Sequence, residues 1–304
     1  MKCKWIKKLT AGIIFLAAVG SLSGCQKAAT AENLFRDIEV NMTSVESAEE
    51  NQIVKLQMGD GDSAISQESN LDIEMIRDPA AVHRKGQQKT NMAGTKETQE
   101  MESYQVEEDG KTVIYSGTDE AWEKNAVEEK ETSSQQTVLF DGIQNLSGAF
   151  SVSQDLATVN KEECFELTGM ISGTQFQETF ADTLKALLGE DSSDLSGWNL
   201  QASEDEENNE ELQQKLNNIK VDCVIDIYRS NILPAKITFD LTDYLKAAGE
   251  ENAQVTSYTL EVTFVSYNDT KKIKVPKAVK KSAKDNGEDD AENSTDEMLE
   301  EENQ

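Results

Sequence analysis

Short runs of alternating polar and apolar residues fill the first half of the chain after residue 50, and turn sequences separate them. The runs are Gln52 to Met58, Asn70 to Arg77, Ala81 to Thr90, Thr98 to Glu107 and Lys111 to Ser116. Asp60-Gly61 and Glu108-Asp109-Gly110 lie between runs, where hairpin turns are expected. Because strands joined by hairpin turns pair antiparallel, this half of the chain predicts an antiparallel meander.

The second half combines further strands with helical segments. Strands are predicted over Ala149 to Ser153, Glu162 to Ile171, Lys220 to Tyr228, Leu233 to Asp240 and Thr256 to Tyr267. Helical spacing predicts an amphipathic helix ahead of the meander, through Leu34, Phe35, Ile38, Met42 and Val45. Strands and helices occupy separate stretches with hairpin-length connections, so the pattern predicts an α+β fold with an antiparallel sheet.

A further helix is predicted after residue 173, where Thr174-x-x-Gln177 has the form of a capping box. Its apolar stripe is formed by Phe176, Phe180, Leu184 and Leu187. A helical patch is also predicted around Val138, Leu139, Ile143 and Leu146, and a short helix at Tyr244 and Leu245. We expect the apolar faces of these helices to pack against one face of the sheet and bury it.

Charge sets the limits of the folded domain. The chain has 29 basic and 58 acidic residues, a formal charge of −29, so a nucleic-acid partner is excluded by repulsion. Residues 190–218 are acidic and poor in core-forming residues, which predicts a solvated insertion with at most one helical turn through Leu212 and Leu216. Residues 281–304 are similarly charged, which predicts a disordered acidic tail. The folded domain is therefore expected over residues 32–280.

The N-terminus has the form of an export signal. Four lysines precede an apolar run from Leu9 to Val19 that is too short to span a bilayer, and Leu22-Ser23-Gly24-Cys25 follows. This sequence matches the lipobox of bacterial lipoproteins, in which the cysteine is lipidated and becomes the new N-terminus. We therefore expect residues 1–24 to be removed, Cys25 to carry lipid, and residues 25–31 to tether the domain to the extracytoplasmic face of the cell membrane. The alternative is an uncleaved anchor with an incidental cysteine.

Two cysteines remain in the mature domain, Cys164 and Cys223. An exported chain favours a disulfide. Strand parity argues against one, because the two sulfurs are predicted on opposite faces if their strands share a sheet. Two separate thiols are therefore favoured over a bridge, and neither cysteine has a partner at metal-ligand spacing.

The sequence carries no catalytic signature. His83 is the one histidine, and it lies on a predicted strand without a nucleophile motif to serve. The Asp and Glu pairs lie in charge runs, where solvation explains them better than acid–base chemistry does. We expect no enzyme activity, no metal and no cofactor.

The order of these features resembles the LolA/LppX-like bacterial lipoproteins, especially uncharacterised members from Gram-positive bacteria. The similarity rests on the lipobox, the N-terminal helix, Trp122 just after the meander's hairpin, the strand leading into a capped helix, and Tyr267-Asn268 followed by Ile273-x-Val275-Pro276. It covers about residues 33–279. The resemblance implies a curved antiparallel sheet, an incomplete barrel, whose concave face is covered by helices over an apolar cavity. Better-understood members hold lipid or acyl chains there, and others bind protein partners.

The apolar stripe has two interpretations. Phe176, Phe180, Leu184 and Leu187 are either ordinary core residues or the lining of a cavity that admits a lipid tail, and Trp122 is either a core anchor or a residue at the cavity rim. Two functions follow. The first is a non-enzymatic lipoprotein that binds or carries a lipid-like ligand. The second is an envelope interaction or sensor protein that docks a protein partner and binds no ligand.

Overall fold

The computed structural model describes residues 29–60, 64–92, 94–118, 121–127, 140–188, 206–248 and 254–285. Its strands form one sheet, in which neighbouring strands are antiparallel apart from one short parallel pairing at an edge. The sheet is curved and does not close into a barrel, as the sequence predicts.

The first six strands form the predicted meander, each pairing with the next. They are β1 (Ser47–Met58), β2 (Ile65–Ile76), β3 (Ala81–Met92), β4 (Thr95–Glu108), β5 (Lys111–Thr118) and β6 (Ala121–Val127). The start of β1 differs from the prediction, since the strand begins five residues before Gln52. Ala48 is the one apolar residue of the added stretch, so apolar alternation does not reveal it.

The remaining strands complete the sheet from the C-terminal half. They are β7 (Phe150–Val159), β8 (Glu162–Ser172), β9 (Lys220–Tyr228), β10 (Pro234–Asp240), β11 (Val255–Tyr267) and β12 (Lys284–Asp285). Strand β11 pairs with β1 along almost its whole length, from Ala48 opposite Tyr267 to Met58 opposite Val255. This long-range pairing joins the two halves into one sheet. The strand order is β12-β6-β5-β4-β3-β2-β1-β11-β10-β9-β8-β7, and β12 is the strand that pairs parallel, to β6.

The described residues form six helical segments, and all but the last cover one face of the C-terminal half of the sheet. They are α1 (Ala31–Met42), a 3₁₀ helix (Ile143–Ala149), α2 (Gly173–Leu188), α3 (Glu206–Asn218), α4 (Thr242–Ala248) and α5 (Lys277–Ser282). The Thr30 hydroxyl caps α1 by accepting a hydrogen bond from the Asn33 N–H at 3.3 Å. The 3₁₀ helix contains Ile143 and Leu146 of the predicted helical patch, whereas Val138 and Leu139 lie outside the described residues.

The two faces of the sheet have separate cores. We call the face that carries Ile225, Ile237 and Leu260 the inner face, and helices α1 to α4 pack on it in the main core. The outer face is the opposite one, and it carries Tyr104 and Trp122 in a smaller cluster. Register places each strand residue on one of these faces, because paired residues in antiparallel strands point to the same side.

The capping box of α2 lies two residues earlier than predicted. The Ser172 hydroxyl accepts from the Gln175 N–H at 3.1 Å, and the Gln175 side-chain oxygen accepts from the Ser172 N–H at 3.0 Å. Thr174 instead donates to the side chain of Asn217 on α3. Ser172-x-x-Gln175 and Thr174-x-x-Gln177 both match the capping-box pattern in the sequence. Ser172 is the cap because β8 ends at that residue.

The acidic segment 190–218 is not a solvated insertion throughout. Its second part forms the thirteen-residue helix α3, and Leu216 on that helix is fully buried in the main core. A Cβ added to Gly173 would lie 2.8 Å from the Leu216 carbonyl oxygen, so glycine permits this close approach of α3 to α2. Residues 190–205 lie outside the described part of the chain.

Regular structure also continues past the boundary expected at residue 280. Val275, just before α5, and Val279, within α5, are buried against the outer face, and β12 follows the helix. The Lys280 ammonium contacts the Glu108 carboxylate on β4. The prediction of a disordered tail is thus wrong for residues 281–285, because two valines four residues apart anchor the segment. Residues 286–304 lie outside the described part.

Both mature-domain cysteines are free thiols. Cys223 faces the main core, whereas Cys164 lies on the outer face beside Tyr228, so the parity argument is confirmed. Burial raises the pKa of the Cys164 thiol to about 11 and raises the pKa of the Cys223 thiol further. Both thiols are therefore protonated and poorly nucleophilic near neutral pH.

Candidate ligand-binding face

Aromatic side chains from two helices and one strand meet on the inner face. Phe176 and Phe180 on α2 are fully buried, with ring centroids 5.7 Å apart. Phe239 on β10 lies edge-on to both, at 5.2 Å from Phe176 and 5.0 Å from Phe180. Tyr244 on α4 lies 5.0 Å from Phe176. This edge-to-face packing holds α2 on the sheet.

The structure brings together only some of the predicted lining residues. Phe176 and Phe180 share the main core. Leu184 and Leu187 belong to α2, but their side chains lie outside the described part of the structure. Trp122 is buried in the outer-face cluster, with its ring 6.0 Å from that of Tyr104. It therefore does not share a site with the two phenylalanines, and of its two interpretations it fits the core anchor.

Helix α1 and the 3₁₀ helix extend the cover of the inner face. The Phe35 ring on α1 packs edge-on against Phe150 at 5.1 Å. A Cβ on Gly169 would come within 2.5 Å of the Phe150 ring, so glycine makes room for that ring on β8. The Phe140 ring lies 6.2 Å from Phe264 on β11. The inner face is thus lined by aromatic rings from α1 across to α4.

Strand β1 adds polar groups to this face. Val54, Leu56 and Met58 pack against the main core, and Glu50 and Gln52 share their parity. Glu50 and Gln52 are each only 2% exposed. Glu50 lies opposite Phe264, which confirms its inner-face position. A carboxylate and an amide are thus buried beside an aromatic core.

Burial changes the chemistry of the Glu50 carboxyl. Removal from water raises its pKa to about 7, although the positive charge of Arg84 acts in the opposite direction. Burial lowers the pKa of the Arg84 guanidinium, and the Glu50 charge partly restores it. The carboxyl also helps to raise the pKa of Tyr267, after burial itself. Glu50 is therefore partly protonated near neutral pH.

The sequence analysis did not identify Glu50 and Gln52. The predicted strand began at Gln52, so Glu50 had no assigned face. The sequence does contain one signal for them: Glu50 and Gln52 continue the series of every second residue formed by Val54, Leu56 and Met58, so all five face the same side of a strand. Polar residues at inward-facing positions of a strand are uncommon in a packed core, and they mark a structural network or a ligand site.

His83 belongs to a hydrogen-bonded network on the outer face. Its ring nitrogens lie 3.4 Å from a Glu74 oxygen and 2.9 Å from a Glu102 oxygen, and its ring stacks on Tyr104 at 4.3 Å. Although burial opposes it, hydrogen bonds from Tyr104, His83 and Lys85 hold the pKa of Glu102 below its usual value. These contacts join strands β2, β3 and β4, which is a structural role.

A second cluster of charged residues lies on the outer face, on strands β9, β10 and β11. Lys236 on β10 lies 2.8 Å from Glu261 on β11, and Asp226 on β9 is nearly buried beside them. Burial, and then the neighbouring Glu166 carboxylate, raise the pKa of Asp226 to about 6. Within the described ranges, no group of three or more His, Cys, Asp and Glu residues is placed to hold a metal ion.

None of the helices in the described part of the chain is both long and apolar enough to span a bilayer. The N-terminal residues, including Cys25, lie outside that part. The expected lipid attachment at Cys25 therefore stays a prediction.

A family model described as "Family of unknown function (DUF6612)" matches residues 30–284. No curated protein matches the sequence. The match begins at the cap of α1 and ends within β12, so it spans every element described above.

Among solved structures, LprF from Mycobacterium bovis is 10% identical with a TM-score of 0.44, and the match covers 81% of this chain and 96% of LprF. The lipoprotein LppX of Mycobacterium tuberculosis is 13% identical with a TM-score of 0.41, covering 80% and 98%. A LolA superfamily protein from Nitrosomonas europaea is 8% identical with a TM-score of 0.22, covering 83% and 97%. At these TM-scores the likeness says nothing about a ligand or a partner of this chain.

Proposed function

We propose that this chain, which belongs to the family of unknown function DUF6612, is a membrane-anchored extracytoplasmic lipoprotein that binds or carries a lipid-like apolar ligand. The ligand would lie between the inner face of the sheet and the helices that cover it. The observation that carries the proposal is the composition of that face, where an aromatic and aliphatic lining surrounds a few buried polar groups. Sites for apolar small molecules have this composition.

The position of the domain supports an anchor at Cys25. Helix α1 begins at Ala31 and is capped by Thr30, so only four residues, 26–29, would separate this cap from a lipidated N-terminus at Cys25. Such a short tether would hold the inner-face helices close to the membrane surface. The mature chain has 25 basic and 58 acidic residues, so its body is repelled by anionic headgroups and the acyl chains must supply the attachment.

The chemistry of the described residues supports a non-enzymatic role. The His83 ring is held between carboxylates, and both thiols are buried and protonated. The carboxyl of Glu50 is enclosed by the main core. The His83 contacts join neighbouring strands, and protonated thiols are poor nucleophiles.

A second function is favoured by one observation. Phe176 and Phe180 are completely buried by contacts within the protein, as expected for a filled core. In that case the protein would be an envelope interaction or sensor protein that docks a protein partner without binding a ligand.

Native mass spectrometry with solvent extraction separates the two functions. The sample is the Cys25→Ala protein purified from a bacterium that produces it. We expect masses above that of the chain, removed by chloroform and methanol and identified as acyl lipids. Phe180→Leu should change the lengths of the acyl chains that are recovered. In a filled core this substitution typically costs about 1 to 2 kcal/mol of stability, and we expect a smaller loss here.

Leu156→Ala is the matched control, because Leu156 is 43% exposed on β7. This variant should leave both the bound species and the stability nearly unchanged. A chain that carries no extractable species, together with a full core cost for Phe180→Leu, would reject the ligand and favour the protein-partner function.

A further inference from the structure

Two polar residues of β1 point into the apolar inner face. Glu50 and Gln52 are both 2% exposed and share the parity of Val54, Leu56 and Met58. Gln52 lies between Val262 of β11 and Leu71 of β2 in register. One end of the β1 stripe is therefore polar and the other is aliphatic.

The surroundings of Glu50 explain its charge environment. In register, Glu50 lies opposite Phe264 on β11 and Ile73 on β2, and Ile73 lies opposite Arg84 on β3. The charged and titratable groups that act on the carboxyl are thus Arg84 and Tyr267, from β3 and β11. The apolar residue Ile73 on β2 therefore lies between Glu50 on β1 and Arg84 on β3.

The oxygens of these two residues have unused hydrogen-bonding capacity. Within the described residues, neither carboxylate oxygen of Glu50 nor the side-chain oxygen of Gln52 has a hydrogen-bond partner, although all three are fully buried. Buried acceptors without donors are costly, and native proteins satisfy nearly all of them. A bound molecule that brings hydrogen-bond donors would satisfy these three oxygens, whose residues lie two positions apart on one strand.

We propose that Glu50 and Gln52 form the headgroup end of the ligand site and accept hydrogen bonds from the hydroxyl groups of a neutral, polyhydroxylated amphiphile. The acyl chain would run along Val54, Leu56 and Met58 toward the other end of β1. This assignment rests on the proposed lipid-binding function and specifies the class of ligand. A glycolipid has such a headgroup.

The donor requirement distinguishes this ligand from a lipid with a phosphocholine headgroup. A phosphate or phosphocholine group brings acceptors and no hydroxyl donors, so it leaves the three oxygens unsatisfied. A phosphate would also place negative charge beside the Glu50 carboxylate. Arg84 is the group that would favour a phosphate, and its charge is already opposed by Glu50.

Isothermal titration with two detergents of equal chain length tests the headgroup. The probes are dodecyl maltoside and dodecylphosphocholine, each below its micelle concentration, added to delipidated Cys25→Ala protein. We expect the maltoside to bind at least about tenfold more tightly, as several satisfied buried acceptors imply. This comparison needs no further variant, so it does not depend on how a substitution folds.

The variant Glu50→Leu/Gln52→Leu removes the three acceptors. It should lose about tenfold in maltoside affinity and keep its affinity for the phosphocholine. Glu97→Gln on the exposed part of β4 is the control and should alter neither. Equal binding of both detergents, unchanged in the double variant, would overturn the headgroup assignment while leaving lipid binding intact. Preference for the phosphocholine would overturn it in favour of Arg84. Binding of neither detergent would reject the proposed function itself.

Discussion

Replacing Cys25 with alanine should abolish membrane attachment completely. In a bacterium fed an alkyne analogue of palmitate, the wild-type protein should carry the label and sediment with membranes. The Cys25→Ala protein should carry no label and should not remain with the membranes after a salt wash. The reason is that the acidic body has no attraction for anionic lipid, so the acyl chains supply the whole attachment.

Two matched variants make this result specific to the lipobox cysteine. Cys164→Ala and Cys223→Ala remove the buried thiols of β8 and β9 and should retain the label at the wild-type level. Equal labelling of wild-type and Cys25→Ala protein would contradict lipidation at Cys25. A membrane-bound but unlabelled Cys25→Ala protein would instead indicate an uncleaved anchor.

Replacing Glu50 with glutamine should stabilise the ligand-free protein at pH 8 and have almost no effect at pH 4. The Glu50 carboxyl has an ordinary pKa of 4.5 and a pKa of about 7 in the folded protein, chiefly because it is buried. The folded protein thus holds this proton more tightly than the unfolded chain does. Stability from Glu50 is fully present below pH 4.5, falls as the pH rises, and is lost above pH 7.

The size of this pH effect follows from the rise in pKa. It corresponds to about 3 kcal/mol in the free energy of unfolding, lost between pH 4.5 and 7. Glutamine does not titrate, so the variant escapes this loss. The gain is reduced by the lost attraction to Arg84, but burial is the larger cause and fixes the sign.

Urea unfolding of delipidated wild-type and variant protein from pH 4 to pH 8 measures this difference. Comparing the two chains cancels other groups that titrate in the same range, such as Asp226, whose pKa is raised to about 6. Glu97→Gln, on the exposed part of β4, should show no pH-dependent difference from wild type. A Glu50→Gln difference that is the same at pH 4 and pH 8 would show that the carboxyl is not buried as described.

The sheet was largely predictable because its strands alternate with period two. The hairpin turns at Asp60 and Asp109 lie between the predicted strands, and β11 was located to within one residue. Strand order beyond the meander was not predictable, because the pairing of β1 with β11 joins residues about 200 positions apart. Local pattern carries no information about such pairings.

Two segments were misread because charge concealed their apolar residues. Helix α3 is rich in Glu and Asn, yet Leu212 and Leu216 lie one turn apart and pack on the main core. The folded domain was expected to end at residue 280 because lysines follow, yet the helix anchored by Val275 and Val279 continues to Ser282, and β12 follows it. In both cases a pair of apolar residues four positions apart outweighs the solvated majority.

The candidate site was only half predictable. Phe176 and Phe180 were identified from helical periodicity, which assigns them to one apolar stripe. Trp122 could not be assigned to a face, since β5 and β6 carry apolar residues on both sides and only the register with Tyr115 resolves the choice. Glu50 and Gln52 were missed because a strand that begins with polar residues has no apolar alternation to mark its start.

Photo-crosslinking can show whether an apolar ligand lies on the inner face of the sheet. The probe is a monoacylglycerol with a diazirine in its acyl chain; it is bound to delipidated Cys25→Ala protein and irradiated, and the labelled residues are mapped by peptide mass spectrometry. We expect saturable labelling of inner-face residues such as Val54, Leu56 and Met58, and unlabelled monoacylglycerol should suppress it. Labelling confined to exposed outer-face residues such as Met170 and Val265, or labelling that does not saturate, would contradict it.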